Sequence, residues 1–289
     1  MKIGLRSDPL KLKQDMPALI QWLAENGYES IDMPGAPDAG FKALCDKAGL
    51  AVGSFDSPQV RKVLTEDAAE SQKAAEALKA DISKAAGMGL KTLFACLVPM
   101  DKGATRAKAF EIWKATYPPI VEHAASVGVS IAIEPWPGGA PNYNTIGTTP
   151  EVWRAMFKEV PSPSMGLCYD PSHMVRLGID YLRALREFGD RVRHVHAKDC
   201  KIMGEDLYLQ GRMPLTFGAP KFKCSEGWWR YCIPGDGEVD WRAVAVQLEA
   251  MGYDGPLAVE PEDGVYMNDE EGNRRGLRAA QAYLRSVIR

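Results

Sequence analysis

The chain has 289 residues, of which 46% are hydrophobic and 25% are charged, a composition typical of globular proteins. Its net charge is −3 and it contains no run of Lys or Arg, which argues against a nucleic-acid or anionic membrane partner. The six cysteines form no Cys-x-x-Cys pair, no apolar run approaches the ~20 residues of a membrane helix, and the first residues are typical of a strand rather than a signal peptide. These features predict a cytoplasmic protein.

Strand-like and helix-like stretches alternate along the whole chain. The predicted strands are residues 2–6, 28–33, 50–55, 91–98, 129–134, 165–170, 192–196 and 257–260. The main predicted helices are residues 10–26, a segment ending near 47, 66–87, 105–127, a segment opening at Thr149-Pro150, 180–188, 240–251 and 273–288. Thr149 and Asp240 are expected to cap their helices, with Pro150 as the first helical residue.

Eight strand–helix units of about 36 residues each predict a single (β/α)8 TIM barrel domain over residues 1–289. An open, doubly wound sheet is the alternative, but the segment after the first strand, Gly4-Leu5-Arg6-Ser7-Asp8-Pro9, lacks the glycine-rich phosphate-binding turn of that fold. In a barrel, functional residues lie where the strands end. The candidate functional residues of this chain are therefore expected at its strand ends.

Two of the four histidines lie in the strand-like stretch at 193–199. Successive strand side chains alternate between faces, so His194, His196 and Lys198 share one face. A polar face on an otherwise apolar strand requires polar partners.

Three other strand-like stretches each end in a carboxylate followed by proline, at Glu134, Asp170 and Glu260. In each stretch the residues on the side of the acid are small and those on the opposite side are bulky, which predicts a crowded barrel interior and a helical layer outside. The proline favours an extended conformation of the acidic residue. Three carboxylates and one imidazole at neighbouring strand ends suit one divalent cation, with Mn²⁺ most expected and Mg²⁺ or Co²⁺ as alternatives.

One connection is longer than the barrel requires. About forty residues rich in glycine, proline and aromatics separate Asp199 from Asp240, after predicted strand seven. The segment carries six aromatic residues, Tyr208, Phe217, Phe222, Trp228, Trp229 and Tyr231. We expect either that it folds over the strand ends, with Trp228 and Trp229 stacking on a substrate, or that its rings are buried against helices or a second subunit.

Five motifs resemble the xylose-isomerase-like barrels, in their branch of sugar phosphate isomerases and epimerases. They are Ile-Glu-Pro at 133–135, Asp-Pro-Ser-His at 170–173, His-Val-His-Ala-Lys-Asp at 194–199, Pro-Gly-Asp-Gly-Glu-Val-Asp-Trp at 234–241 and Val-Glu-Pro at 259–261. The resemblance covers essentially the whole chain and includes ketose 3-epimerases and inosose dehydratases. It implies one metal ion held by Glu134, Asp170, His196 and Glu260, with a substrate contact from His173.

The same resemblance implies that Glu134 and Glu260 also transfer protons, and Lys198 is a further candidate for substrate contact. Ketose 3-epimerases carry an arginine shortly after the metal-binding histidine, whereas this chain has Lys198-Asp199. That departure disfavours a simple free ketose as the substrate. The Lys-Asp pair and the Trp-Trp segment look more like inosose dehydratases and keto-sugar lyases and epimerases.

The leading hypothesis is a metal-dependent isomerase or epimerase of a sugar or keto-sugar, which removes a proton beside a carbonyl and stabilises the resulting enediolate next to the metal. A lyase or dehydratase on the same scaffold is the nearest alternative, because the same proton abstraction can expel a β-leaving group. An apurinic-site endonuclease, which needs a basic groove and more histidines, and a non-catalytic sugar-binding barrel fit less well. A homo-oligomer is also compatible with the sequence.

Other polar residues are expected to be structural. His194 lies one layer deeper than His196 and is predicted to be a hydrogen-bonded residue of the barrel interior. His123 lies within a predicted helix, and Cys168 is predicted to be buried filler. Arg6 and Asp32 point inward at their strand ends, either to support the site or to fill the barrel.

Overall fold

The computed structural model describes residues 1–8, 10–139 and 143–288. Its strands are β1 (Lys2–Leu5), β2 (Ser30–Met33), β3 (Ala51–Phe55), β4 (Thr92–Ala95), β5 (Ser130–Ile133), β6 (Met165–Tyr169), β7 (Val192–Ala197), β8 (Asp199–Ile202), β9 (Trp229–Cys232) and β10 (Pro256–Val259). All except β8 and β9 close into a parallel barrel in the order β1-β10-β7-β6-β5-β4-β3-β2. The predicted (β/α)8 barrel is confirmed.

The helices in the described part of the chain surround this barrel. They are α1 (Met16–Glu25), α2 (Ala39–Ala48), α3 (Gln59–Lys62), α4 (Ala68–Gly87), α5 (Arg106–Thr116), α6 (Pro118–Ser126), α7 (Pro150–Glu159), α8 (Pro171–Leu177), α9 (Tyr181–Phe188), α10 (Gly204–Gln210), α11 (Trp241–Ala250) and α12 (Glu270–Val287). None of the described helices is long and apolar enough to cross a membrane.

The alternation predicted for the strands is observed. Bulky residues of the outward face, such as Ile131, Leu167 and Leu257, belong to the apolar core that joins the barrel to its helices. The inward face has little room, since a Cβ atom at Gly53 would lie 2.5 Å from Asp32 Oδ1. Small inward residues thus leave space for the polar side chains that the interior holds.

Several predicted helices differ from the observed ones in identifiable ways. The helix expected at 105–127 is two helices, α5 and α6, because Pro118 and Pro119 cannot donate the backbone hydrogen bonds of a continuous helix. The helix expected to begin near residue 10 begins at Met16, after a short 3-10 turn at Lys11–Gln14. Helices α3 and α8 were not predicted at all.

The predicted helix caps are partly confirmed. Asp240 caps α11 by accepting a hydrogen bond from the Ala243 N–H at 2.9 Å. Thr149 is the residue before α7 and Pro150 is its first residue, but the Thr149 side chain makes no capping hydrogen bond. The proline alone therefore marks the start of this helix.

The segment after β7 is an insertion with secondary structure of its own. Strands β8 and β9 pair antiparallel, with Asp199 opposite Cys232 and Ile202 opposite Trp229. Helix α10 lies between them in the chain. The hairpin starts directly at the carboxyl end of β7, so it rises from the face of the barrel where the strands end.

Candidate active site

Backbone hydrogen bonds along the barrel set the positions of the strand-end acids. The Glu134 N–H donates to the Ala95 carbonyl of β4 at 3.0 Å, and the Glu260 N–H donates to the Ala197 carbonyl of β7 at 3.3 Å. Asp170 is the N-cap of α8, and its Oδ1 accepts from the Ser172 N–H at 2.9 Å and the Ser172 hydroxyl at 2.6 Å. Its other oxygen, Oδ2, faces the centre of the barrel, where it lies 3.2 Å from both His173 Nε2 and Lys198 Nζ.

Four of the predicted residues converge at one point. His196 Nδ1 lies 3.3 Å from Glu134 Oε2 and 3.4 Å from Glu260 Oε2. One ligand atom from each of Glu134, Asp170, His196 and Glu260 lies within 4.8 Å of the others. We call these four residues the carboxylate–histidine cluster.

The cluster has the properties expected of a divalent-cation site. Among the described residues, Glu134 Oε2, Asp170 Oδ2 and both ring nitrogens of His196 are buried and lie near charged groups but form no hydrogen bond, which is costly unless another group satisfies them. Three carboxylates and one imidazole are donors that Mn²⁺, Mg²⁺, Co²⁺ and Zn²⁺ all accept. The residues present therefore fit a divalent ion.

Beneath the cluster lies a polar pair that supports His196. Asp32 Oδ2 is 2.9 Å from His194 Nε2 and 3.6 Å from His196 Nε2. The Phe94 ring stacks on the His196 ring, with 5.1 Å between their centroids. The prediction of His194 as a hydrogen-bonded interior residue is confirmed, and Asp32 is placed where a carboxylate can orient the imidazole of His196.

Lys198 lies beside the cluster in contact with several acids. Its Nζ atom is 2.5 Å from Glu260 Oε2, 3.1 Å from Glu262 Oε2 and 3.2 Å from Asp170 Oδ2. Burial alone would lower the pKa of Lys198, but the surrounding carboxylates outweigh it and hold that pKa well above its usual range. A cationic ammonium thus faces the same space as the cluster.

His173 bridges the cluster and the insertion. Its Nε2 lies 2.9 Å from Glu134 Oε1 and 3.2 Å from Asp170 Oδ2, and its Nδ1 lies 2.6 Å from the Tyr231 hydroxyl. The side chain is buried. His173 is therefore held from both sides at the cluster, and its contact with a substrate stays a prediction.

From Tyr231 the polar contacts continue outward through the insertion. Arg176 of α8 donates to the Tyr231 hydroxyl at 3.1 Å and to Glu226 Oε1 at 2.8 Å. The hydroxyl of Tyr143 donates to Glu226 Oε2 at 2.8 Å. These contacts connect the insertion to the loop after β5 and to α8.

The two tryptophans of the insertion are buried. Trp228 and Trp229 are 5% and 3% exposed and pack with Cys200 and Tyr231 in a small apolar cluster separate from the barrel core. Arg176 lies over the Trp229 ring, 4.0 Å from its centroid. Stacking of these rings on a substrate stays a prediction, and the contact of the insertion with the site runs through Tyr231.

Burial and neighbouring charges set the protonation of the cluster. Burial opposes ionisation of Glu134 and Glu260, but His196 together with His173 or Lys198 outweighs it and lowers both pKa values. Burial raises the pKa of Asp170, partly offset by His173 and Lys198. The two glutamates that flank His196 are therefore carboxylates at neutral pH.

Two site residues were not identified from the sequence. Glu262 contacts Lys198 and follows Glu260 by two positions, so the strand alternation extended past Pro261 could have suggested it. Tyr231 was noted only as one of several insertion aromatics. Nothing local distinguishes it from its neighbours, because its contact with His173 depends on the pairing of β8 and β9.

The remaining structural assignments agree with the geometry. His123 joins α6 to α4 through the Ser83 hydroxyl at 2.8 Å and the Lys79 carbonyl at 3.1 Å. Arg6 forms a two-pronged ion pair with Asp56. Cys168 is buried, but its sulfur also lies near Glu134 and His196, so it lines the site as well as filling the interior.

The fold and site define a TIM barrel with a buried carboxylate–histidine cluster at its strand ends, a candidate site for a divalent metal ion. Residues 20–287 match the family described as xylose isomerase-like TIM barrel. The chain belongs to this family.

Comparison of sequences gives a partial match to curated relatives. The inosose dehydratase of Geobacillus thermodenitrificans (strain NG80-2) is 34% identical over 117 residues, which are 40% of this chain and 37% of the relative. The chain thus spans 37% of the length of that relative.

Two solved structures have the same fold along nearly their full length. The 3-keto-D-glucoside 4-epimerase YcjR from E. coli has a TM-score of 0.70 and 18% identity, covering 99% of each chain. The IOLI protein with a bound zinc atom has a TM-score of 0.69 and 15% identity, covering 100% of this chain and 99% of the other. At these identities the likeness concerns the fold.

Proposed function

We propose that this protein is a divalent-metal-dependent isomerase or epimerase of keto-sugars that moves a proton beside a carbonyl. The observation that carries the proposal is that two carboxylates approach the same ring nitrogen. Glu134 Oε2 and Glu260 Oε2 lie 3.3 and 3.4 Å from His196 Nδ1. Two ionised carboxylates that reach one point from separate strands can remove and return a proton on a substrate held between them. The keto-sugar named for one solved structure of this fold supports the substrate class.

The metal would be held by Glu134, Asp170, His196 and Glu260. A divalent ion bound there supplies positive charge that polarises a ketone and stabilises the negative charge formed when the neighbouring C–H loses its proton. Mn²⁺ suits the oxygen-rich donor set, and the zinc reported in a protein of the same fold supports a divalent ion in general.

The protein supplies the remaining functions. Glu134 is hydrogen-bonded to His173 at 2.9 Å and Glu260 to Lys198 at 2.5 Å, so each carboxylate is held in a fixed direction. Lys198 can donate hydrogen bonds to substrate oxygens, and His173 can do so when a substrate oxygen replaces its contact with Glu134 or Tyr231. The burial of the cluster limits access of water, which strengthens these interactions.

A lyase is the second candidate, and Lys198 is the observation that favours it. An ammonium group held among Asp170, Glu260 and Glu262 is an acid that can protonate a leaving hydroxyl or alkoxide after the C–H bond is broken. The partial similarity to an inosose dehydratase agrees with this possibility. The two reactions share their first step and differ in the fate of the β-substituent.

Deuterium incorporation tests the shared step. We expect the Mn²⁺-loaded protein in D₂O to exchange the proton beside the carbonyl of methyl 3-keto-β-D-glucoside or of inosose, followed by NMR. An epimerase yields a deuterated epimer, whereas a lyase yields an unsaturated product with a new ultraviolet absorbance. Glu134→Gln and Glu260→Gln should each lower exchange by ~10²-fold or more, as is typical for loss of a general base.

Metal content provides the control. Elemental analysis should find one ion per wild-type chain and clearly less in Glu134→Ala and His196→Ala, because each variant removes a ligand. Stoichiometric metal in both alanine variants would reject the proposed site. Wild-type exchange in both glutamine variants would assign the base to another group, with His173 and Lys198 next in order of proximity.

A further inference from the structure

A cavity of about 310 Å³ opens at the same end of the barrel as the carboxylate–histidine cluster. Its wall is built by the connections after β2 and β3 and by the end of β4. We call it the side cavity, and its principal lining residues are Ala36, Pro58, Val60, Arg61, Phe94 and Cys96. Its volume is at the lower end of the ~300–1,000 Å³ typical of small-molecule sites.

Phe94 lies between the side cavity and the cluster. The Phe94 ring lines the cavity and also stacks on the His196 ring, 5.1 Å away. Cys96 follows it on the inward face of the same strand end, and the pKa of its thiol is raised by burial and by the nearby charge of Glu134. The side cavity is thus one aromatic ring away from His196, within reach of a substituent on a sugar held at the cluster.

The polar groups of the wall are mostly engaged by the protein. Asp56 accepts two hydrogen bonds from Arg6, at 2.7 and 2.9 Å. The Ser57 hydroxyl donates to Asp81 at 2.6 Å. Neither side chain is free to serve as the main partner of a sugar hydroxyl.

Arg61 is the exception. Within the described ranges its guanidinium forms no hydrogen bond and no ion pair, although it lines the side cavity. An arginine beside an otherwise apolar wall can bind a carboxylate or phosphate through two parallel hydrogen bonds. Among the described residues, the side cavity thus offers a mostly apolar surface with one unpaired cation, Arg61, and one carboxylate, Asp56, that Arg6 already pairs.

We propose that the side cavity binds a substituent of the keto-sugar: an apolar ring that carries an anionic group paired with Arg61. The proposal rests on the proposed function, because it assigns the keto-sugar itself to the carboxylate–histidine cluster. Hydroxyl groups of a free hexose in this cavity would lose water and find few protein partners besides Arg61, which is unfavourable. An aromatic ring packs against Phe94 and Pro58 without that cost.

Three matched ligands test the proposal by calorimetry on the Mn²⁺-loaded protein: the methyl, phenyl and 4-carboxyphenyl 3-keto-β-D-glucosides. We expect the phenyl compound to bind more tightly than the methyl compound, and the 4-carboxyphenyl compound to bind at least ~10-fold more tightly than the phenyl compound. In Arg61→Gln the preference for the carboxylate should disappear, while the affinity for the methyl compound stays unchanged.

Lys62→Gln is the matched control, since Lys62 is adjacent in the chain, is exposed, and lines a different groove. This variant removes the same charge and should keep the wild-type preference. Equal binding of the three ligands would overturn the proposal, and so would a carboxylate preference that survives in Arg61→Gln.

Binding of benzoate, observed by NMR on metal-free protein, separates this proposal from the proposed function. Benzamide serves as the neutral comparison. One outcome is that no keto-sugar exchanges deuterium, while benzoate binds to the wild type and not to Arg61→Gln. That outcome would reject the proposed function and support the side cavity as an anion-binding site. If exchange occurs with the methyl compound but neither benzoate nor the 4-carboxyphenyl group is preferred, the side cavity proposal alone fails.

Discussion

The two nitrogens of His196 face different partners. Nδ1 points toward Glu134 and Glu260, and Nε2 lies 3.6 Å from Asp32 Oδ2. A histidine that binds a metal through one nitrogen usually donates the N–H of the other to a carboxylate or carbonyl, which fixes the ring and increases its basicity. The His194 contact holds Asp32 in place for this role.

Asp32→Asn is therefore expected to weaken metal binding although Asp32 is not one of the proposed ligands. Loss of the carboxylate behind a metal-binding histidine typically costs ~10–100-fold in affinity, and we expect a change of that size. Competition titration with a fluorescent chelator measures the dissociation constant for Mn²⁺ directly.

Asp263→Asn is a suitable control for that measurement. Asp263 is also fully buried and also accepts hydrogen bonds, from the N–H groups of Ile233 and Val265, but it does not contact His196. A loss of Mn²⁺ affinity in both variants would indicate a general effect of the lost charge. Unchanged affinity in Asp32→Asn would show that Asp32 only fills the barrel.

The proposed ligands were predictable from the sequence because they follow a local rule. Glu134, Asp170 and Glu260 each end an apolar strand, and side-chain alternation directs all of them inward. The partners of each residue were not predictable. That Asp32 meets His194, 162 positions away, follows from barrel closure and from the register between strands, which no single stretch encodes.

At the level of the elements, the insertion is where prediction from sequence was least complete. Its position after β7 and its aromatic content are visible in the sequence, but the pairing of β8 with β9 brings together residues about thirty positions apart. In the structure Trp228 and Trp229 are buried in a small core of the insertion itself, together with Cys200 and Tyr231, rather than against the helices of the barrel. Pro118 and Pro119 are a local signal for the break between α5 and α6. The prediction of one helix at 105–127 followed the apolar periodicity on both sides and overlooked them.

The hairpin reaches the site through Tyr231, whose ring centroid lies 4.6 Å from Lys198 Nζ and whose hydroxyl group contacts His173. This hydroxyl accepts a hydrogen bond from Arg176 and lies 2.6 Å from His173 Nδ1. Tyr231→Phe keeps the ring and removes only that group. We expect metal content to be unchanged and kcat to fall ~10-fold or more, because His173 loses the partner that orients it toward Glu134.

Trp228→Phe serves as the comparison for Tyr231→Phe. Trp228 belongs to the same apolar cluster, and the substitution disturbs its packing without touching His173. Its melting temperature should decrease, while kcat per folded molecule changes little. If both variants lose kcat in parallel with melting temperature, Tyr231 acts only through the stability of the hairpin.

At the scale of the whole molecule, the carboxylate of Asp199 holds the two ends of the insertion together. Asp199 Oδ1 accepts from the Cys200 and Val239 N–H groups at 2.8 and 3.0 Å, and Oδ2 accepts from the Gly235 N–H at 3.2 Å. These bonds close the base of the insertion where it returns to α11. Burial raises the pKa of Asp199 to about 6, although the backbone N–H groups favour the charged form.

This raised pKa predicts a pH dependence of stability with a definite sign. Between about pH 4 and pH 6 the folded protein retains a proton on Asp199 that the unfolded chain has lost, so the free energy of unfolding decreases as pH rises through this window. The Asp199→Asn side chain resembles the protonated acid and does not ionise, so this variant lacks the pH dependence that Asp199 contributes. Urea unfolding measured from pH 4 to pH 8 checks this. As pH rises, the free energy of unfolding of the wild type should decrease by on the order of 2 kcal/mol relative to that of Asp199→Asn, and the difference should be constant above pH 7. A difference that is constant from pH 4.5 upward, or that changes in favour of wild type, would mean that the backbone N–H groups fully compensate burial and that Asp199 is charged throughout.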